Sequence, residues 1–211
     1  STVSSYASFN IEMFEVTISS ANQVYDLQTE KWFTSGNGTE NDPYIISTLD
    51  EFEKLNKFDG FGGGTHFALY KNLDLKNQEI NGINNFKGVF DGRNHIISNF
   101  QLNSSNSNLG LFNNAINATI KNLGVRNFNL TSLASESYYS GALVGKAESS
   151  LIVSCFADHG FLNVNVNAGS LIGLLSGGTV KYSYSTNNVT SIVSNGTSVS
   201  NLGGFVGKAT G

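Results

Sequence analysis

The sequence has 211 residues, of which 13% are charged, with a formal net charge of −4. A surface so poor in cations excludes nucleic-acid binding through phosphate neutralisation, and no basic run offers attraction to an acidic membrane. Polarity comes from neutral side chains, 28 Asn and 27 Ser with 23 Gly, while hydrophobic residues at 39% supply a core. The abundance of Val, Ile, Thr, Tyr and Phe predicts an all-β chain. Pro43 is the only proline, so nearly every residue is able to donate to a ladder. Cys155 is the only cysteine, which rules out an internal disulfide. No apolar run approaches the length of a membrane span. The opening Ser-Thr-Val is read as that of a processed or excised product, and the closing Gly-Lys-Ala-Thr-Gly, just after a repeat element, as a point where further repeats follow.

Residues 1–36 are expected to form a separate N-terminal strand segment, either a cap or an inter-subunit arm. Ile11, Met13, Phe14, Val16 and Ile18 nearly alternate with polar residues, with one slip in phase of the kind a bulge produces. Val24, Tyr25 and Leu27 give a second run before Trp32 and Phe33. A turn cluster follows, Gly36 to Pro43. Beyond it, Tyr44, Ile45 and Ile46 predict a short strand. Thr48 with Glu51 is a capping-box pair, and Leu49, Phe52, Leu55 and Phe58 share a helical face, which predicts a short helix over 49–58. That helix is expected to cap an open hydrophobic end. From Phe67 the sequence predicts strands: Leu69, Lys71, Leu73 and Leu75 fall on one face by alternation, and Asp91-Gly92 is a tight-turn dipeptide between two apolar runs.

A repeat decides the architecture. The segments Gly110-Leu-Phe-Asn, Gly141-Ala-Leu-Val-Gly, Gly169-Ser-Leu-Ile-Gly and Gly203-Gly-Phe-Val-Gly align on Leu111, Leu143, Leu171 and Phe205, at spacings of 32, 28 and 34. A second landmark, Ile120, Ile152 and Val180, keeps the same 32 and 28. Two landmarks in step predict a solenoid whose units stack and place like residues in ladders through the core. The Gly-x-Leu-Val-Gly pattern, with Ile-x-x-x-x-Tyr/Phe downstream, resembles the GLUG repeat of bacterial and protist surface proteins. Asn37-Gly-Thr-Glu-Asn-Asp-Pro-Tyr-Ile-Ile-Ser-Thr48 and Phe86-Lys-Gly-Val-Phe-Asp-Gly-Arg-Asn-His-Ile-Ile97 look like the entry region before such repeats. The resemblance implies a right-handed parallel β-helix over 37–211, of the kind seen in adhesins and in non-catalytic regions of some immunoglobulin-cleaving peptidases.

No catalytic, cofactor-binding or metal-binding set stands out. His66, His95 and His159 lack ligand spacing, and no His-Glu-x-x-His occurs. Asp91 and His95 are close enough in sequence to act together, but a turn capped by Asp with an exposed His is the better account. His66, after a Gly-Gly-Gly-Thr loop, is expected at the surface, and Gly62-Gly63-Gly64 lacks the Lys-Ser/Thr of a phosphate loop. Cys155, among Val153, Phe156 and Ala157, is expected to be a buried small side chain. Six sequons, at Asn37, Asn103, Asn117, Asn129, Asn188 and Asn195, are candidate glycosylation sites. The expected function is that of a non-enzymatic, secreted, extracellular structural or adhesive module of a cell-surface protein. Its expected partners are other copies of itself, by end-to-end assembly into a filament, or surface proteins and glycans. The alternative is a carbohydrate-active β-helix enzyme or the non-catalytic region of a secreted peptidase.

Overall fold

The computed structural model describes residues 32–57, 63–105, 107–133, 138–165, 167–191 and 201–211. Of the strand segment expected over 1–36, residues 1–31 lie outside the described residues. From Trp32 the chain winds into a parallel β-solenoid. Its long lateral sheet stacks β1 (Tyr44–Ile46), β2 (His66–Leu69), β4 (Val89–Ser104), β6 (Thr119–Ser132), β10 (Phe156–Val164) and β14 (Tyr184–Ser191). β3 (Leu73–Glu79) pairs with β4, while β9 (Leu151–Val153) bridges β6 and β13 (Thr179–Lys181). Two smaller sheets complete the turns. One stacks β7 (Ser140–Gly141), β11 (Ala168–Gly169) and β15 (Leu202–Gly203). The other stacks β5 (Phe112–Ile116), β8 (Val144–Glu148), β12 (Ile172–Ser176) and β16 (Val206–Thr210).

The pairing register reproduces the spacing of the repeat. Phe112, Val144, Ile172 and Val206 are successive partners, which keeps the preceding Leu111, Leu143, Leu171 and Phe205 in step. Phe90, Ile120, Ile152 and Val180 form the second column. Leu111, Leu143 and Leu171 are fully buried, as are Phe90, Ile120 and Ile152. The physical reason is the two-residue period of a strand. One slip in register would turn each whole inward set outward, so burial locks every turn to the one below. The glycines of the repeat serve the same stacking. A Cβ on Gly173 would meet Ser140 N at 2.6 Å and Gly145 O at 2.5 Å, so backbone lies directly on backbone at this corner.

The helix is shorter than its apolar face predicts. α1 covers Leu49–Glu53 and tightens into a 3₁₀ turn over Lys54–Lys57, and Phe58 lies outside the described residues. The capping box is complete: Glu51 N–H donates to Thr48 Oγ1 at 3.2 Å, and Thr48 N–H donates to the Glu51 carboxylate at 3.2 Å. The same carboxylate accepts from Ser47 N–H at 2.7 Å and Thr34 Oγ1–H at 2.6 Å, which offsets its burial. Phe52 is fully buried and meets Phe90 and Phe112 edge-on at 5.9 and 6.0 Å. Phe33 is buried against Tyr44 and Phe67, and Ser35 bridges Ile45 antiparallel, so residues 33–35 pack with the first turn.

Two local expectations change. Leu69, Lys71, Leu73 and Leu75 do not share one face: the leucines are buried and Lys71 is exposed, because the chain bends over Tyr70 and Lys71 and the alternation restarts in β3. Asp91-Gly92 makes no hairpin. It opens a corner within β4, and both flanks pair parallel to β6. Asp91 does cap that corner, accepting from Arg93 N–H at 2.8 Å. Arg93 and Asn94 take the left-handed conformation there, with φ of 50° and 63°. A solenoid turns sideways between faces where a hairpin would reverse, and the turn chemistry of the two is the same.

Candidate functional site

The sequence candidates are mostly separated by the fold. Asp91 pairs with Lys121 at 3.4 Å and accepts from Asn122 Nδ2–H at 3.0 Å. Burial pushes its carboxyl up, but the hydrogen bonds from Asn122 and Arg93 and the charge of Lys121 outweigh it and hold it below the usual range. His95 faces Asn72 instead, with Nδ1 3.3 Å from Asn72 Oδ1, and is half-buried. His66, expected at the surface, is half-buried at the start of β2. Among the described residues, no three His, Cys, Asp or Glu side chains come together as metal ligands. Cys155 is buried, as expected, beside the carbonyls of Ile120 and Val153, and burial pushes its thiol up to about 12.

What the fold assembles is a lateral face on β4, β6, β10 and β14. Ile97, Val125 and Ala157 point inward and are fully buried. Their neighbours therefore point outward in two columns: Ile96, Gly124, Phe156 and Tyr184, then Ser98, Arg126, Asp158 and Thr186. Phe156 and Tyr184 stack with ring centroids 5.2 Å apart and planes 5° from parallel. The Arg126 guanidinium lies over Phe156 at 5.6 Å. It also grips Asp158 with two hydrogen bonds, Nε and Nη2 each at 2.7 Å. Those bonds hold the Asp158 carboxyl below the usual range against the opposing effect of burial, and His159 adds to them from 3.2 Å.

Beyond Asp158 the face turns a corner and the ladder slips. β10 and β14 are in register up to Asp158 and Thr186, then resume at Phe161 and Asn188. Two residues, His159 and Gly160, thus oppose one, Asn187. Asn187 closes the inner side: its Oδ1 accepts from Gly160 N–H at 2.9 Å, and its Nδ2 donates to Ala157 O at 3.2 Å. Outside, the slip leaves an open notch of about 410 Å³ lined by Asn127, His159, Gly160, Phe161, Thr186 and Asn188. Phe161 is 52% exposed there.

Sequence reasoning missed this notch, although its signals are present. Phe156 and Tyr184 are one 28-residue period apart, which predicts a stack. Phe161 and Asn188 are 27 apart, one short of the period, which predicts the slip. Of the sequons, Asn103, Asn117, Asn129 and Asn188 are exposed, Asn37 is half-buried, and Asn195 lies outside the described residues. Asn129 and Asn188 flank Phe161 in a single outward column.

No family model and no curated protein matches the chain. Among solved structures it is similar to the crystal structure of a protein described as a "putative immunoglobulin A1 protease" from Bacteroides ovatus. That similarity covers 85% of this chain and 87% of the other, at 13% identity and a TM-score of 0.28. A likeness at that level does not bear on activity, and the fold rests on the parallel ladders themselves.

Proposed function

We propose that this chain is a secreted structural and adhesive module of a cell-surface protein. The observation that carries the reading is the column register, kept from turn to turn along the strands and shifted only at corners, which fixes outward side chains at the spacing of strands in a sheet, about 4.8 Å per turn. Such a lattice is rigid because the inner ladder is buried through Leu171 and Ile172 and partly buried at its last rungs, and it presents neutral amides, hydroxyls and aromatic rings in fixed rows. A surface of this kind suits repeated weak contacts with a proteinaceous or glycan layer, where charge would add little selectivity. The GLUG-like glycine pattern supports the same assignment. A finer form of the proposal is end-to-end self-association into a filament through the terminal turns.

The test is retention against turnover. The purified protein is passed over immobilised cell-surface glycoprotein and, separately, incubated with polysaccharide and with immunoglobulin. Saturable retention without new reducing ends or cleavage products is expected. Turnover of either substrate, or no retention, overturns the adhesive reading. Sedimentation velocity across a concentration series tests the filament form, which a constant monomer rejects.

A further inference from the structure

We infer that the notch at the β10–β14 slip is a binding subsite for a short neutral glycan. The inference rests on the adhesive reading and names the class of ligand for one place on the face.

Three independent features converge there. The first is the slip itself, which leaves β14 one residue short of β10 and so makes a recess in the face at this corner. Bulges of this type re-aim side chains and recur beside functional sites. The second is Phe161, an apolar ring left 52% exposed on the wall of that recess. The third is the remaining lining: amides from Asn127 and Asn188, a hydroxyl from Thr186 and the imidazole of His159.

A neutral sugar matches this set in both of its chemical halves. Its C–H face is weakly polarised and packs on the face of an aromatic ring, while its hydroxyls need donors and acceptors at the rim. The volume of about 410 Å³ lies within the usual span of small-molecule sites, roughly 300–1,000 Å³.

Other ligand classes fit less well. The carboxylate beside the notch, Asp158, takes a hydrogen bond on each oxygen from Nε and Nη2 of Arg126, and the two charges offset each other, so neither is a free counter-charge. A phosphate or sulfated ligand would meet no free Lys or Arg in the lining, and an oligonucleotide needs a cationic track beside its stacking ring. An apolar peptide segment would bury one phenyl ring against five polar or featureless neighbours.

Asn188 is both a lining residue and a sequon, so sugar attached there would occupy the recess from within. The protein for the test is therefore the 211-residue chain made in a host that does not glycosylate. The probes are neutral gluco-, galacto- and manno-tetrasaccharides, with a sialylated and a sulfated tetrasaccharide as charged controls. Saturation-transfer NMR reports binding, and titration gives the Kd. At least one neutral tetrasaccharide is expected to bind, and the charged controls are expected to bind more weakly. Phe161→Ala is expected to weaken binding about tenfold or more, the loss of one stacking contact, while Phe161→Trp retains it. Thr186→Glu, which places a charge in the notch, is expected to abolish it. Tyr182→Ala, at an 85% exposed ring that does not line the notch, is expected to leave Kd unchanged. Unaltered circular dichroism and melting establish that each variant folds.

No saturation transfer to any neutral probe overturns the subsite, as does an unchanged Kd in Phe161→Ala. If no neutral probe binds while the unsubstituted chain is still retained on the glycoprotein surface, the adhesive reading stands and the subsite falls. If the unsubstituted chain is not retained either, both fall.

Discussion

Arg126 and Asp158 occupy the same column on consecutive turns and are joined by two 2.7 Å hydrogen bonds from the guanidinium edge to both carboxylate oxygens. The geometry is a fork on a fork, the strongest form of charge-assisted pairing. The Asp158 side chain is only 7% exposed, whereas that of Arg126 is 39% exposed, so the carboxylate depends on the pair more than the cation does.

A pH dependence follows from that asymmetry. The folded Asp158 carboxyl is held below its ordinary value of 3.8, chiefly by the Arg126 hydrogen bonds. The unfolded state therefore binds the proton more readily, and the stabilisation is present in full above the unfolded value. It is lost as pH falls through the folded one. Urea unfolding from pH 7 to pH 2.5 should show stability dropping below about pH 4, with a shallower drop in Asp158→Asn. Asp91 and Asp74, also held low, keep part of the acid limb in that variant. At pH 7, Arg126→Gln should cost about 1–2 kcal/mol, because it strands a nearly buried carboxylate. An acid limb identical in Asp158→Asn and the unsubstituted chain would count against the pair.

Gly160 is required by its neighbour in the core. A Cβ there would fall within the ring of Phe128, which is itself buried and stacked on Phe100 at 5.8 Å. That ring has nowhere to retreat. Gly160→Ala should destabilise by roughly 1–3 kcal/mol through overpacking, and Phe128→Leu in the same chain should recover part of the loss. Equal melting temperatures for Gly160→Ala and the unsubstituted protein would show that the corner is looser than the packing implies.

Leu143 sits in the middle of the inward ladder and is fully buried, whereas Leu133 is 56% exposed. Leu143→Ala should cost about 2–5 kcal/mol, since rigid turns above and below prevent the cavity from closing. Leu133→Ala should stay within about 0.5 kcal/mol. Denaturant midpoints for the two variants check the contrast.

The thiol of Cys155 should be inert in the folded protein. Buried, and with its ionisation pushed up to about 12, it holds a negligible thiolate fraction at pH 8. A maleimide or disulfide reagent should label it on the timescale of unfolding and at once in denaturant. Rapid labelling under native conditions would mean that the turn at β9–β10 opens.

In a secretory host that attaches sugar to Asn-x-Ser/Thr, the exposed amides at Asn103, Asn117, Asn129 and Asn188 are accessible for modification. Intact mass should then exceed the bare 22.6 kDa of the chain. A mass equal to the bare chain rejects all of them together.

The architecture was legible because a solenoid writes its register into the sequence: a side chain buried on one turn needs a like one a full period later. Leu111, Leu143 and Leu171 show this, and so does Ile120 with Ile152. The capping helix was legible for a local reason, the reciprocal Thr48–Glu51 bonds, although its α-helical part stops at Glu53. The corners were not. Asp91-Gly92 carries the chemistry of a hairpin turn, and only neighbours on other turns decide that the chain goes sideways. The notch was hidden for a related cause. Its lining joins Asn127, Phe161 and Asn188 from three successive turns, and no window of sequence contains them. Only the change from 28 to 27 between successive partners carried a trace of it.

Ser140 pairs with Ala168, and Phe156 with Tyr184, at the same offset of 28 residues. Removing residues 141–168 would join Ser140 to Gly169, and the sequence Gly-Ser-Leu-Ile-Gly would take the place of Gly-Ala-Leu-Val-Gly. The next turn down would meet the same backbone geometry it met before. Length in this protein is therefore a whole-number quantity: it lengthens or shortens by circuits, while a change of one or two residues must be taken up at a corner.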